Sequence, residues 1–283
     1  MHNNIVFTAV SKPRLGSCLA AAGAPHTGII IKECTGSTNT DLINEIRAGS
    51  PVRLIAARMQ DNGRGRLGRS FDSVPGGIYF SFAVPMPDGD IPRGLMTPAA
   101  GIACAVTLRS AYNIDVRLKW VNDLIYEKKK LGGILCEVAE HGGKVYCVVG
   151  IGINAINERF PDTATSLADI IATMSAPPSD TSKHTIDANE IIAETVSAFF
   201  RLLPCLTGEC EGGVNRIKSE YESLLCMLNV PLRVHTFGRG DGDYNAVATG
   251  ITPDGALIIT RYENGGNITE TITSGEVSVR TTE

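Results

Sequence analysis

The segment Gln60-Asp61-Asn62-Gly63-Arg64-Gly65-Arg66-Leu67-Gly68-Arg69-Ser70-Phe71 places three glycines among three arginines. Glycine allows the backbone to take positive φ and to approach a ligand closely. Arginine presents a planar fork of donors that matches the oxygens of carboxylates and phosphates. We therefore expect residues 60–71, called the arginine loop below, to form a flexible loop that wraps an anion.

The glycines of the arginine loop also match G-x-G-x-x-G, the fingerprint of dinucleotide-binding proteins. That fingerprint requires a helix directly after the glycines, and the breakers Pro75, Gly76 and Gly77 follow too closely to allow one. The chain also contains neither an H-R-D segment of kinases nor a G-x-x-x-x-G-K-[ST] loop. A solvated basic hairpin turn remains the alternative, but it does not explain the alternation of glycine with arginine.

The overall composition and net charge indicate which classes of protein this chain can belong to. The chain has 283 residues, of which 43% are hydrophobic and 20% charged, as is usual for a soluble globular protein with one large and one small domain. The net charge of −4 gives no overall attraction for nucleic acid, whereas local clusters of basic residues suit a small anionic ligand. Without a membrane-length apolar run or a secretion signal, we expect a cytoplasmic protein that binds neither membranes nor nucleic acid.

The chain contains eight cysteines, none of them in a C-x-x-C pair. Cys205 and Cys210 are neighbours in sequence but have no histidine nearby, so the spacing does not favour a zinc site. We expect all eight to be free thiols of a reducing compartment.

A second group of candidate residues lies in Lys119-Trp120-Val121-Asn122-Asp123 and in the following segment, residues 130–135. Asp123 has the chemistry of a general base or a metal ligand, and Lys130 can pair with a carboxylate or a phosphate. On composition alone, a β-hairpin with charged tips is the favoured explanation of this pattern.

The third candidate segment is Gly150-Ile151-Gly152-Ile153-Asn154, at the end of a predicted strand. Two glycines there permit a close approach between the backbone and a ligand. The amide of Asn154 offers both a donor and an acceptor. An ordinary strand exit with a glycine turn explains the segment about equally well.

Apolar patterning predicts a chain that mixes strands with helices. The predicted strands are residues 29–31, 54–57, 77–84, 131–139 and 144–151, and the predicted helices are residues 98–112, 187–203 and 214–225. After Pro231 only short strands and glycine-containing turns remain, which predicts a small all-β module. Residues 175–183 are predicted to form a loop.

Taken together and in this order, these segments resemble those of biotin protein ligases, with Ser37-Thr38-Asn39 as the first motif. The resemblance covers roughly residues 29–283. This chain has Val121 where the family usually has proline, and Phe71 where it usually has tryptophan.

The resemblance implies an α+β fold. A central mixed β-sheet flanked by helices, as in the class II synthetase-like biotin and lipoate ligases, would be followed by a small SH3-like β-barrel. The expected domains are an N-terminal extension (1–28), a biotin- and ATP-binding catalytic domain (29–230) and the C-terminal barrel (231–283). Because about 28 residues precede the first predicted strand, we expect the monofunctional type without a DNA-binding domain.

The resemblance also implies roles for particular residues. The catalytic residues would be Arg64, Lys130 and Asp123. Biotin would contact Ser37, Thr38, Asn39, Gln60, Gly63, Arg64, Gly65, Arg66, Lys130 and Gly133. ATP would contact Arg66, Arg69, Trp120, Asn122, Gly152 and Asn154. No protein ligand for a metal is implied, because Mg²⁺ would arrive with the nucleotide.

The implied activity is the ATP-dependent formation of biotinyl-5′-AMP and transfer of biotin to a lysine of a biotin carboxyl carrier protein. A homodimer is expected from the habit of the family. Two alternatives remain open from the sequence: a lipoate–protein ligase, and a non-catalytic protein that senses biotin or nucleotide.

Overall fold

The computed structural model describes residues 5–25, 28–86, 92–157, 160–174, 185–236, 242–263, 265–273 and 277–281, so the loop predicted at 175–183 lies outside the described residues. The helices are α1 (Lys12–Ala21), α2 (Thr38–Arg47), α3 (Met96–Tyr112), α4 (Leu167–Thr173), α5 (Ala188–Leu206) and α6 (Gly213–Leu224). The strands are β1 (Val6–Thr8), β2 (Ile29–Thr35), β3 (Leu54–Gln60), β4 (Gly77–Met86), β5 (Arg117–Lys119), β6 (Asp123–Tyr126), β7 (Lys129–His141), β8 (Lys144–Asn154), β9 (Thr185–Asp187), β10 (Pro231–Thr236), β11 (Tyr244–Ile251), β12 (Leu257–Glu263), β13 (Gly266–Ile272) and β14 (Val277–Thr281).

The centre of the fold is a seven-stranded sheet in the order β2-β3-β4-β8-β7-β6-β5. Only β2 and β3 pair in parallel, while the other neighbours are antiparallel. Strand β4 is buried over most of its length and is nearly continuously apolar, as expected for a strand that is covered on both faces. The prediction of an α+β fold with a mixed central sheet is confirmed.

Helices cover both faces of this sheet. Helices α3 and α5 pack against each other on one face, over a core that includes Phe80, Phe82 and Phe199. On the other face, α2 packs through Leu42 and Ile46, which lie one helical turn apart and are fully buried.

The N-terminal segment is part of the packed structure. Strand β1 pairs in parallel with β9, and α1 packs on α5 with Leu15 and Leu19 fully buried. Helix α1 begins at Lys12 with a proline in its first turn, where the missing N–H costs nothing. The apolar pattern of the sequence did not predict either element.

The C-terminal strands form a separate antiparallel sheet in the order β13-β12-β11-β10-β14, with a core that includes Leu232, Ile251 and Leu257. This confirms the predicted all-β module after Pro231. Trp120 connects this module to the rest of the protein, because its indole N–H donates to the carbonyl of Gly255 at 3.1 Å.

One sequence-based expectation about the cysteines is wrong. Cys205 and Cys210 form a disulfide, with their Cα atoms 4.8 Å apart. The physical reason is that α5 ends at Leu206 and the chain turns back through Gly208, which has a φ of +78°. Cys18, Cys34, Cys104, Cys136, Cys147 and Cys226 are free thiols. Within the described ranges, no helix combines the length and the apolar character needed to cross a bilayer.

Candidate active site

A cavity lies between the N-terminus of α2, the arginine loop and the glycine-rich parts of β7 and β8. Its lining includes most of the residues singled out from the sequence. These are Ser37, Thr38, Asn39, Gln60, Arg64, Gly65, Arg66, Arg69, Asn122, Asp123, Lys130, Gly133 and Gly152. Four stretches that are separate in the sequence, residues 37–39, 60–71, 122–135 and 150–152, are therefore assembled into one site.

The N-terminus of α2 forms one polar wall of this cavity. Ser37 is the N-cap residue, and its side chain accepts a hydrogen bond from the backbone N–H of Thr40. The side-chain carbonyl of Gln60 accepts from the backbone N–H of Thr38 at 2.8 Å and lies 3.2 Å from the Thr38 hydroxyl oxygen. The positive end of the helix dipole and these amide and hydroxyl groups suit a polar, neutral or anionic ligand.

Asn39 lies at the buried end of this wall, where hydrogen bonds hold its side chain amide. Its Nδ2 donates to the carbonyl of Leu135 and to Oε2 of Glu137, both at 3.0 Å, and its Oδ1 accepts from the Ser81 hydroxyl at 2.6 Å. A Cβ at Gly150 would lie 2.0 Å from Asn39 Oδ1, so only glycine fits beneath this side chain.

Gly133, Gly150 and Gly152 line one side of the cavity, called the glycine floor below. The ring of Phe71 lies over Gly133 and Gly152, where added Cβ atoms would be 3.4 Å and 2.5 Å from the nearest ring carbon. The same ring packs edge-on against Tyr79, with the centroids 6.4 Å apart. The aromatic residue of the arginine loop is thus seated on the sheet.

The arginine loop is held to the sheet by its arginines. Arg64 forms an ion pair with Glu137, and Nη1 of Arg66 lies 3.5 Å from Oδ1 of Asn122. Burial lowers the pKa of the Arg66 guanidinium, and the carboxylate of Asp123 partly opposes this effect. Within the loop, Leu67 adopts a left-handed φ of 56°, an unusual backbone for a leucine.

Gly63 closes the loop and does not line the cavity. Its carbonyl accepts from the Phe71 N–H at 2.8 Å, and an added Cβ would lie 2.3 Å from the Phe71 carbonyl oxygen.

Lys130 and Asp123 meet across the hairpin of β6 and β7. Nζ of Lys130 lies 2.7 Å from Oδ1 of Asp123, and both side chains are partly exposed to the cavity. The Lys130 ammonium also lies 5.8 Å from the centroid of the Phe71 ring, within the range of a cation–π contact. Nδ2 of Asn122 donates to the carbonyl of Ile134 at 3.0 Å, which fixes the turn before Asp123.

Two residues expected to contact nucleotide lie outside the cavity lining. Trp120 is 6% exposed and is held by Gly255 and by Met227, whose sulfur accepts from the Trp120 backbone N–H at 3.2 Å. Asn154 is buried and donates to the carbonyl of Thr165 at 3.0 Å. In this structure both residues are held by contacts with other parts of the protein and do not line the cavity.

The charges in the cavity favour an anionic ligand. Among the residues that the structure describes, Arg64, Arg66, Arg69 and Lys130 line it together with one carboxylate, that of Asp123. Among the described residues, no group of three or more His, Cys, Asp or Glu side chains is arranged to hold a metal ion.

Comparison with known proteins agrees with this geometry. A model of the Biotin/lipoate A/B protein ligase family matches residues 31–154, and a model of the Biotin protein ligase C terminal domain matches residues 236–280. Both parts of the fold thus match ligase domains, in the order found here. The chain belongs to the biotin protein ligase family.

Individual relatives support the same assignment. The Bifunctional ligase/repressor BirA of Escherichia coli is 28% identical over 245 residues, which is 86% of this chain and 70% of that protein. The biotin–[acetyl-CoA-carboxylase] ligase of Mycobacterium tuberculosis is 33% identical over 162 residues, covering 54% of this chain and 59% of the relative. The biotin protein ligase from Aquifex aeolicus, solved in complex with biotin and ATP, superposes with a TM-score of 0.68 at 26% identity, covering 90% of this chain and 99% of that one.

Proposed function

We propose that this protein is an ATP-dependent ligase that activates biotin as biotinyl-5′-AMP and transfers it to a lysine of a biotin carboxyl carrier protein. The observation that carries the proposal is the single cavity in which four cationic side chains face a glycine floor and the polar end of α2. The A. aeolicus ligase, whose solved complex contains both biotin and ATP, supports the choice of substrates.

In the first step, a carboxylate oxygen of biotin attacks the α-phosphorus of ATP, and the bond to the β-phosphate breaks to release pyrophosphate. Two anions must approach each other, so cationic groups at the point of contact lower the barrier. We assign Arg64 and Lys130 to the biotin carboxylate and the α-phosphate, and Arg69 to the departing pyrophosphate.

The remaining contacts follow from the walls of the cavity. Ser37, Thr38 and Gln60 would bind the ureido ring of biotin, with Gly133 beneath it. Asn39 would complete this wall, and the backbone at Gly63 and Gly65 would shape the loop above the ligand. Arg66, Asn122 and Gly152 would contact the nucleotide, with Trp120 and Asn154 in supporting positions.

In the second step, the amine of the acceptor lysine attacks the carbonyl carbon of the adenylate, and the bond to AMP breaks. An amine must lose a proton to become a nucleophile, and the ordinary pKa of lysine is about 10.4. We assign Asp123 as the acceptor of that proton, because it is the carboxylate that lines the cavity. Its ion pair with Lys130 holds its side chain in place.

Three further features belong to the proposal. ATP would enter as its Mg²⁺ complex, with the metal held by the phosphates. A cytoplasmic location, where ATP is available, stays a prediction. A homodimer formed through an edge of the seven-stranded sheet stays a prediction, with β2 and β5 as the edge strands.

The proposal is tested by calorimetric titration of the protein with biotin, first alone and then with ATP and Mg²⁺. We expect biotin to bind, and to be retained far more tightly once ATP allows the adenylate to form. Addition of a biotin carboxyl carrier domain should then transfer one biotinyl group, visible as a mass increase of the acceptor. Binding of lipoate in place of biotin would reassign the substrate, and biotin binding without adenylate formation would indicate a sensor.

Arg64→Ala provides the matched test inside the site. We expect this variant to fold normally, to form adenylate slowly and to release whatever adenylate it forms. Adenylate formation and retention equal to those of the wild type would contradict the role given to Arg64.

A further inference from the structure

The carboxylate of Glu137 joins three parts of the site that are far apart in sequence. Its Oε1 lies 2.9 Å from Nη2 of Arg64, and its Oε2 lies 3.1 Å from Nη1 of the same guanidinium. Oε2 also accepts from Nδ2 of Asn39 at 3.0 Å. The sheet, the arginine loop and α2 therefore meet at one side chain.

The Glu137 side chain is more firmly held in one position than the side chains of an ordinary surface ion pair. The Glu137 side chain is 23% exposed, and its partner Asn39 is 4% exposed. Asn39 is itself held by the carbonyl of Leu135 and by the buried hydroxyl of Ser81. Exposed ion pairs contribute little because both side chains must be ordered, but here one partner is already ordered by the core.

The geometry of the pair leaves Arg64 able to bind a ligand. Each carboxylate oxygen of Glu137 accepts from one of the two terminal nitrogens of the guanidinium, Oε1 from Nη2 and Oε2 from Nη1. Nη1 also lies 3.4 Å from the hydroxyl of Thr40. A guanidinium has five N–H donors in a rigid fork, so its side edge, formed by Nε and Nη2, is a second bidentate face for a carboxylate or phosphate.

We propose that Glu137 is a positioning residue that holds Arg64 end-on, so that the side edge of its guanidinium meets the reacting carboxylate and phosphate. This inference rests on the proposed function, because it assigns Glu137 a part in the formation of the adenylate. The bond between Glu137 and Asn39 connects this positioning to the buried hydroxyl of Ser81. Arg64 then reaches the reaction already oriented, which removes part of the entropy cost of assembling the site.

The test is a double-mutant cycle with Arg64→Ala, Glu137→Ala and the double variant, measured by biotin-dependent adenylate formation. We expect Glu137→Ala to lower kcat/KM by up to about 100-fold, the loss that a misplacement of about 1 Å can cause. Because Glu137 acts through Arg64, adding Glu137→Ala to Arg64→Ala should cause little further loss. If Glu137 only stabilised the fold, the losses of kcat/KM in the two single variants would multiply in the double variant.

Two further variants separate positioning from folding and charge. Glu137→Gln keeps the size of the side chain but removes the charge, so adenylate should escape faster than from the wild type. Glu140→Gln makes the same change at an exposed position of the same strand and should leave the activity unchanged. Thermal unfolding of each variant shows whether a loss of activity comes from destabilisation of the fold.

The outcomes distinguish this inference from the proposed function. Wild-type rates and adenylate retention in both Glu137 variants would overturn the positioning role and leave the ligase assignment intact. Multiplicative losses in the cycle would also overturn it. Failure of the wild type itself to bind biotin or form adenylate would overturn the proposed function, and the role of Glu137 with it.

Discussion

The glycine floor offers the sharpest single perturbation of the site. In Gly152→Ala, the new Cβ would lie 2.5 Å from Cε1 of Phe71 and 2.8 Å from its Cζ. Carbon atoms in contact rest about 3.5–4.0 Å apart, so the ring must retreat by about 1 Å. The sheet below is fixed by the pairing of β4 and β7 with β8, so the ring moves toward the cavity.

The size of the effect follows from the cost of overpacking. Adding a methylene to a well-packed site costs typically about 1–3 kcal/mol. In the free variant the ring can retreat into the cavity, whereas a bound ligand blocks this retreat, so the strain falls on the complex. Because about 1.4 kcal/mol corresponds to a tenfold change in affinity, we expect the Kd for biotin to rise by about 5- to 150-fold. The contact between Phe71 and Lys130 would be disturbed at the same time, so adenylate formation should fall as well.

The assay is calorimetric titration with biotin, with Gly266→Ala as the matched control. Gly266 is also a strand glycine, and a Cβ there would meet no atom within 4 Å. Gly266→Ala should bind biotin like the wild type. An unchanged Kd for a folded Gly152→Ala variant would refute the conclusion that Phe71 and the glycine floor shape the ligand site.

Three other substitutions test separate parts of the account. Lys130→Ala should slow adenylate formation by about 10²–10³-fold, the usual cost of removing one group that stabilises developing charge, and pyrophosphate exchange within a few-fold of wild type would count against that role. Ser166→Ala removes the capping box that Ser166 forms with Asp169 at the start of α4. It should lower the free energy of unfolding by about 1 kcal/mol in urea without slowing the enzyme, and an unchanged midpoint would contradict this. Gly16 lies inside α1, and an added Cβ would meet no atom within 4 Å. Gly16→Ala should therefore raise the free energy of unfolding by about 0.5–1 kcal/mol in the same assay. A lower free energy of unfolding would contradict this expectation.

The residues of the cavity were largely predictable because each motif has a local physical signature. Glycine and arginine in alternation and the paired glycines of β8 each indicate a specific backbone or charge property. What joined them was the order of the motifs, since the resemblance to a family carries long-range information that the individual segments lack.

Contacts between residues that are far apart in the sequence could not be predicted from local motifs. Glu137 meets Arg64 across 73 positions, and no local pattern distinguishes it from a solvated glutamate. Trp120 and Asn154 belong to motifs of the site, but a motif does not state which way its side chains point. The structure turns both toward supporting contacts, with Gly255 and Thr165.

Two short helices were missed for different reasons. Helix α4 has only seven residues, too few for a clear helical period, although the capping pattern of Ser166 and Asp169 was present. Helix α1 is rich in small residues, and its two buried leucines, Leu15 and Leu19, give a weak pattern. Its stability comes from packing on α5, which only the fold reveals.

The most direct test of the central claim is exchange of labelled pyrophosphate into ATP, measured with biotin as the only added carboxylate. We predict exchange that depends on biotin, saturates with it and is largely lost in Arg64→Ala. Exchange that requires lipoate instead, or no exchange from a protein that binds biotin, would contradict the claim that this cavity joins biotin to AMP.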